Sequence, residues 1–136
     1  MEIRELETTE ERSRAVPLLR QLWRDCDPDA VLAWTGDEDY YCAGGFADGD
    51  LVAVAGALVV SHLHHRRIAW LYDLVVDEPR RGEGFGAAMV DHVEAWAREQ
   101  DCERVALASP LAKEGTHAFY DELDYESWGY IIEKSV

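Results

Sequence analysis

Residues Leu71 to Ala87 constrain this chain most. An apolar run, Leu71 to Val76, leads through Asp77-Glu78-Pro79-Arg80-Arg81 into Gly82-Glu83-Gly84-Phe85-Gly86-Ala87, which opens a helix. A strand, a glycine turn and a helix in that order make an anion cradle. Glycine has no Cβ, so backbone N–H groups at the helix start can come close to a diphosphate. Arg80 and Arg81 add fixed positive charge on a chain of formal net charge −15.

Two kinds of diphosphate ligand fit these glycines. Gly82, Gly84 and Ala87 satisfy G-x-G-x-x-G/A, the dinucleotide fingerprint, which needs a strand running into the first glycine and an acidic residue about 20 positions on. Here Asp77 to Arg81 separates strand from glycine, and the next apolar run, Val105 to Ala108, ends in Ser109-Pro110 with no carboxylate. That alternative predicts affinity for NAD and none for coenzyme A. The run Arg81-Gly82-Glu83-Gly84-Phe85-Gly86 resembles instead the Arg/Gln-x-x-Gly-x-Gly/Ala loop of the GNAT superfamily of N-acyltransferases. Further along, His117-Ala118-Phe119-Tyr120-Asp121-Glu122-Leu123-Asp124-Tyr125 resembles that family's second signature, Phe-Tyr-x-x-Leu-Gly-Phe. Asp124 stands where the family usually has Gly, and Tyr125 where it usually has Phe.

The resemblance implies an α/β (α+β) fold: one acyl-CoA N-acyltransferase domain over residues 1–136, with a mixed, mostly antiparallel sheet flanked by helices. It implies acetyl-CoA as co-substrate and a small-molecule or protein amine as acceptor. In that fold the strand before the loop splays from its neighbour, and its free backbone groups hold the pantetheine arm. Carried over, those groups belong to Leu74, Val75 and Val76, with the Val75 N–H nearest the thioester oxygen. The diphosphate would lie over Arg81, Gly82, Glu83, Gly84, Phe85, Gly86 and Ala87, at the positive end of the following helix. Tyr120 matches the family tyrosine beside the coenzyme A sulfur, and a phenol of pKa about 10 can protonate a departing thiolate.

A primary amine is mostly protonated at neutral pH, so a base or a water chain has to take its proton. Asp73 is the candidate, because it interrupts an apolar strand where an acid costs several kcal/mol unless it is paired, solvated or functional. Two roles stay open for it, a general base and a carboxylate that caps a neighbouring backbone group or pairs with an Arg. Trp23, Trp34, Tyr40 and Trp70 are read as core residues that could also line an acceptor pocket. His62 and His64 share a strand face at zinc-compatible spacing but lack a third ligand nearby, so no metal is expected. A non-catalytic acyl-CoA sensor with the same fold is the alternative to an enzyme.

Composition excludes other classes. With 28 acidic against 13 basic residues, the surface repels nucleic acid and anionic membranes. The acidity and the presence of only two lysines resemble proteins of salt-rich cytoplasm. The acidic N-terminus and the lack of an apolar run of about 18 residues point to a cytoplasmic protein. Cys26, Cys42 and Cys102 are odd in number and widely spaced, which suits idle thiols rather than a disulfide framework.

The pattern along the chain predicts a short strand in Met1 to Glu7 and a helix capped by Thr8-Thr9-Glu10-Glu11, kinked or split at Pro17. A second helix is expected over Pro28 to Thr35, capped by Asp27. Strands follow at Tyr40 to Ala47, Leu51 to Ser61 and Ile68 to Val76, the first two joined by a hairpin turn at Asp48-Gly49. A helix over Gly84 to Gln100, a strand at Glu103 to Ala108, a helix around Thr116 to Leu123 and a last strand at Trp128 to Lys134 complete the reading. The resemblance also points to a homodimer through Trp128 to Val136.

Overall fold

Thr8 starts the first helix by the expected chemistry: its Oγ1 accepts the Glu11 N–H at 3.1 Å and donates to Glu11 Oε1 at 3.2 Å. The computed structural model describes residues 1–63 and 66–136. They divide into two units, Met1–Ala106 and Leu107–Val136.

The first unit holds β1 (Glu2–Glu5), α1 (Thr9–Leu22), α2 (Pro28–Thr35), β2 (Tyr41–Ala47), β3 (Asp50–His62), β4 (Arg66–Val76), the 3-10 turn Glu78–Arg80, α3 (Phe85–Glu99) and β5 (Arg104–Ala106). The five strands form one sheet in the order β1-β2-β3-β4-β5, antiparallel except for the parallel pair β4 and β5. The consecutive strands β2, β3 and β4 thus form an antiparallel meander. Asp48 and Gly49 turn β2 into β3 with φ of 53° and 84°, the positive values that a two-residue hairpin turn requires.

Pro17 does not split α1. Its missing N–H costs on the order of 3 kcal/mol in a helix interior. Leu18 and Leu19, both buried, each return about 1.5–3 kcal/mol by packing on the sheet, so tertiary burial outweighs the break.

Alternation along β2 sorts the two faces of the sheet. Tyr40, just before β2, and Cys42 join Leu18, Leu19, Val31 and Val75 in the core beneath α1 and α2. Tyr41 points the other way, stacked on Trp96 of α3 with centroids 4.3 Å apart and its hydroxyl 2.8 Å from His92 Nε2. Met89, Val90, Val93 and Ala97 are the buried residues of α3.

The second unit contains α4 (Glu114–Glu122). It ends in a Schellman turn: the Tyr125 N–H reaches back to the Tyr120 carbonyl at 3.0 Å, Asp124 sits at φ 66°, and the Tyr120 and Tyr125 rings meet at 5.3 Å. The left-handed conformation explains why glycine suits position 124. Asp124→Gly is expected to raise stability by about 0.5–1 kcal/mol, read from the midpoint of a urea melt. A lowered midpoint would count against this account of the turn.

One expected strand is absent. Residues 126–136 take no regular structure, and Trp128, Tyr130, Ile131 and Ile132 are exposed. Strand propensity expresses packing against a neighbouring strand, and among the described residues none pairs with this run. β5 likewise stops at Ala106 rather than Ala108.

Candidate active site

The site is built on a strand whose edge is partly open. β5 pairs with β4 only from Ile68 to Trp70, so β4 continues from Leu71 to Val76 beyond the end of that ladder. On its other side β4 stays bonded to β3, but the register steps from Ala57–Leu71 to Gly56–Asp73 and passes over Tyr72. This is a β-bulge.

The bulge decides which amides face the open edge. Before it, the Arg67 carbonyl accepts from Glu103 N–H at 2.8 Å, so odd-numbered residues face β5. After it, the Asp77 N–H donates to the Val52 carbonyl at 2.8 Å, so odd-numbered residues face β3. The Val75 amide is therefore turned into the sheet, toward β3. Leu74 and Val76 present the edge groups, and the Val76 carbonyl there already accepts from Arg81 Nε at 3.1 Å.

The same bulge gathers Tyr72 and Asp73 beside Trp34. Asp73, 3% exposed, accepts three hydrogen bonds. Trp23 Nε1 donates to Oδ1 at 2.6 Å, Trp34 Nε1 to Oδ2 at 3.2 Å, and the Tyr40 hydroxyl to Oδ2 at 2.6 Å. Trp34 packs against Tyr40 at 5.0 Å and edge-on to Tyr72 at 5.9 Å, and Tyr72 meets Trp70 at 6.1 Å. Burial, then the Asp73 charge, pushes the Tyr40 phenol far above its ordinary value, so it is a permanent donor. Sequence reasoning placed Trp23, Trp34 and Tyr40 mainly in the core. Tyr40 is buried there, yet Trp23 is 48% exposed, Trp34 39% and Tyr72 43%, an open aromatic rim over a buried carboxylate.

Gly56 makes this possible. It lies opposite Asp73 in the ladder, and a Cβ there would stand 1.5 Å from the Tyr40 hydroxyl oxygen. Nothing in the sequence marks that glycine as special among the ten.

The glycine loop follows β4 after Asp77 and the 3-10 turn Glu78–Arg80. Gly82 and Gly84 adopt φ of 84° and 88°, and a Cβ built on either meets nothing within 4 Å. The backbone there is open to an approaching anion, and α3 begins at Phe85. Arg81 is anchored by Val76 and by Gln21 Oε1 at 3.4 Å, while Gln21 also donates to Asp77 Oδ1 at 2.8 Å and accepts from Glu78 N–H at 3.2 Å. Gln21 thus ties the loop to α1, a role its place in the sequence did not signal. Arg80 lies on the Phe85 ring and pairs with Glu83 at 2.9 Å, so part of the loop's positive charge is already balanced.

Tyr120 lies in the second unit, buried against Phe119 at 4.9 Å and Tyr125. Burial pushes its phenol up to about 12. Among the thiols, burial and the Asp73 charge push Cys42 up to about 12, Cys102 is raised by burial, and Cys26 is exposed. His64, half of the considered metal pair, lies outside the described residues.

The structure thus presents a strand open along one edge, followed by an open glycine loop at a helix start. The chain belongs to the acetyltransferase (GNAT) family, whose sequence model matches residues 2–125. It is 27% identical over 139 residues to the uncharacterized N-acetyltransferase YhdJ of Bacillus subtilis (strain 168), covering 98% of each chain. Its fold is similar to the aminoglycoside N-acetyltransferase AAC(6')-Iy in complex with CoA, with a TM-score of 0.89, 18% identity and coverage of 99% of this chain and 93% of that one. It is also similar to ribosomal-protein-alanine N-acetyltransferase from Brucella melitensis biovar Abortus 2308, with a TM-score of 0.85, 19% identity and coverage of 99% and 100%. Membership makes acetyl-CoA the co-substrate. Among the described residues no helix is long and apolar enough to cross a membrane.

Proposed function

We propose that this chain acetylates a primary amine by direct attack on acetyl-CoA in a ternary complex. The observation that carries the reading is the open β4 edge, which leads through the 3-10 turn into the glycine loop and lies next to the Asp73 cluster. Acetyl-CoA supplies an activated thioester carbonyl. The Leu74 and Val76 amides bind along its pantetheine arm, and Leu74 N–H is the donor for the carbonyl oxygen. Backbone N–H groups from Arg81 to Ala87 take the diphosphate, which fits the positive φ and open surface of Gly82 and Gly84.

Asp73 holds the acceptor side in place. Its oxygens already receive three donors, so it orients Trp23, Trp34 and Tyr40 and supplies negative charge, leaving water as the proton acceptor. Tyr120 is the general acid. With its phenol at about 12 it stays protonated across the neutral range. No covalent intermediate is needed, since the buried Cys42 thiol is held far from its thiolate form.

Calorimetry with coenzyme A and NAD, paired with a thiol-release assay over a panel of amines, tests the reading. Binding of coenzyme A with turnover of at least one amine supports it. Binding without any turnover would make the chain a sensor, and binding of NAD alone would overturn the ligand class. Tyr120→Phe is expected to lower kcat about 100-fold with little change in coenzyme A affinity. Because burial raises the phenol, no activity loss traceable to Tyr120 should occur below pH 10. Between about 10, its unfolded value, and about 12 its deprotonation should remove stability. A Tyr120→Phe enzyme with wild-type kcat would refute the acid role.

A further inference from the structure

The aromatic rim over Asp73 carries more than a generic amine site. Three large aromatics, Trp23, Trp34 and Tyr72, are each more than a third exposed around a carboxylate that is almost wholly buried. Both indole N–H groups are bound to that carboxylate, which fixes the orientation of the rings. Each N–H lies in its ring plane, so the indole edges meet the carboxylate, and a hydrogen bond to an anion makes the partly exposed rings more electron-rich and more attractive to a cation. Among the described residues the arginines that stack on rings are Arg4, Arg14 and Arg80, on Phe46 and Phe85 and not on these three.

A box that stabilises an ammonium ion also raises its pKa, and a protonated nitrogen cannot attack a thioester. The nitrogen bound there is therefore not the one that reacts. The edge amides of Leu74 and Val76 begin one and three residues beyond Asp73, roughly 3–10 Å along the strand. We propose that the acceptor is an aliphatic amine with two basic nitrogens, one neutral and acetylated at the β4 edge, the other kept cationic by Trp23, Trp34, Tyr72 and Asp73. In balance, the neutral nitrogen forms the new amide bond as the carbon–sulfur bond breaks. Its proton leaves to water, and the thiolate gains one. This inference rests on the acetyl-transfer reading.

Two measurements test it. The first compares kcat/KM for straight-chain α,ω-diamines of three to eight carbons with monoamines of equal length. Diamines should be favoured at least ten-fold, mainly through KM, with an optimum at one length, and Trp34→Leu should shrink that ratio. Equal values for the two series in the wild-type enzyme would overturn the proposal. The second needs no turnover: butyltrimethylammonium, which cannot be acetylated, should shift the indole N–H resonances of Trp23 and Trp34 in a saturable manner. Acetylation of amines without those shifts sinks the box alone. Saturable shifts with no amine turned over would sink the acetyl-transfer reading while leaving the cation site standing.

Discussion

Asp73→Asn should lower kcat/KM at least 100-fold and destabilise the protein by about 2–4 kcal/mol. An amide can present only one acceptor oxygen, whereas the carboxylate serves Trp23 on Oδ1 and both Trp34 and Tyr40 on Oδ2. Whichever way the Asn is turned, its NH2 faces an indole N–H that has lost its acceptor. Kinetics separate the two roles left open for this residue. If Asp73 only positions the rim and attracts the cation, KM for the amine should rise more than kcat falls, and the pH profile should keep its shape. Disappearance of the acidic limb of the profile, with KM unchanged, would identify Asp73 as the base instead.

Gly56→Ala should cost about 3–5 kcal/mol and abolish most activity, although it adds one methyl group. The new Cβ would stand 1.5 Å from the Tyr40 hydroxyl oxygen and 2.0 Å from its Cζ. Tyr40 is 5% exposed and has little room to retreat, so the ring must move and release Asp73. Overpacking of a core contributes about 1–3 kcal/mol, and a lost hydrogen bond to a charged group about 1.5–3. A thermal midpoint lowered by about 10–20 °C would match that sum. In Gly56→Ala with Tyr40→Leu the two losses should be far from additive, because both disrupt one contact. Near-wild-type stability of the single variant would show that the Tyr40 placement is wrong.

The parts of the site that were legible in the sequence are those whose cause is local. Gly82 and Gly84 announce positive φ and an open backbone, and the structure gives 84° and 88°. The lone carboxylate in an apolar strand marked Asp73 as unusual. Which β4 amides face outward was not legible, because simple alternation runs unbroken through a strand, whereas the bulge at Tyr72 shifts the count by one. Trp23 and Trp34 were read as mostly core. Their indole nitrogens converge on a residue 50 and 39 positions away, which periodicity cannot show.

By itself the sequence determined the capped starts of α1 and α2, the Asp48-Gly49 hairpin, the succession of strands up to β5 and the glycine turn that opens α3. Each follows from the dihedral freedom, hydrogen-bonding groups or apolar period of residues adjacent in the chain. Tertiary structure alone decided that α1 survives Pro17, that residues 126–136 form no strand, which β4 amides face outward and which rings surround Asp73. Those outcomes depend on what lies across the fold, on a neighbouring strand's register and on the space left by a glycine. Such contacts join residues distant in sequence, and no local pattern encodes them.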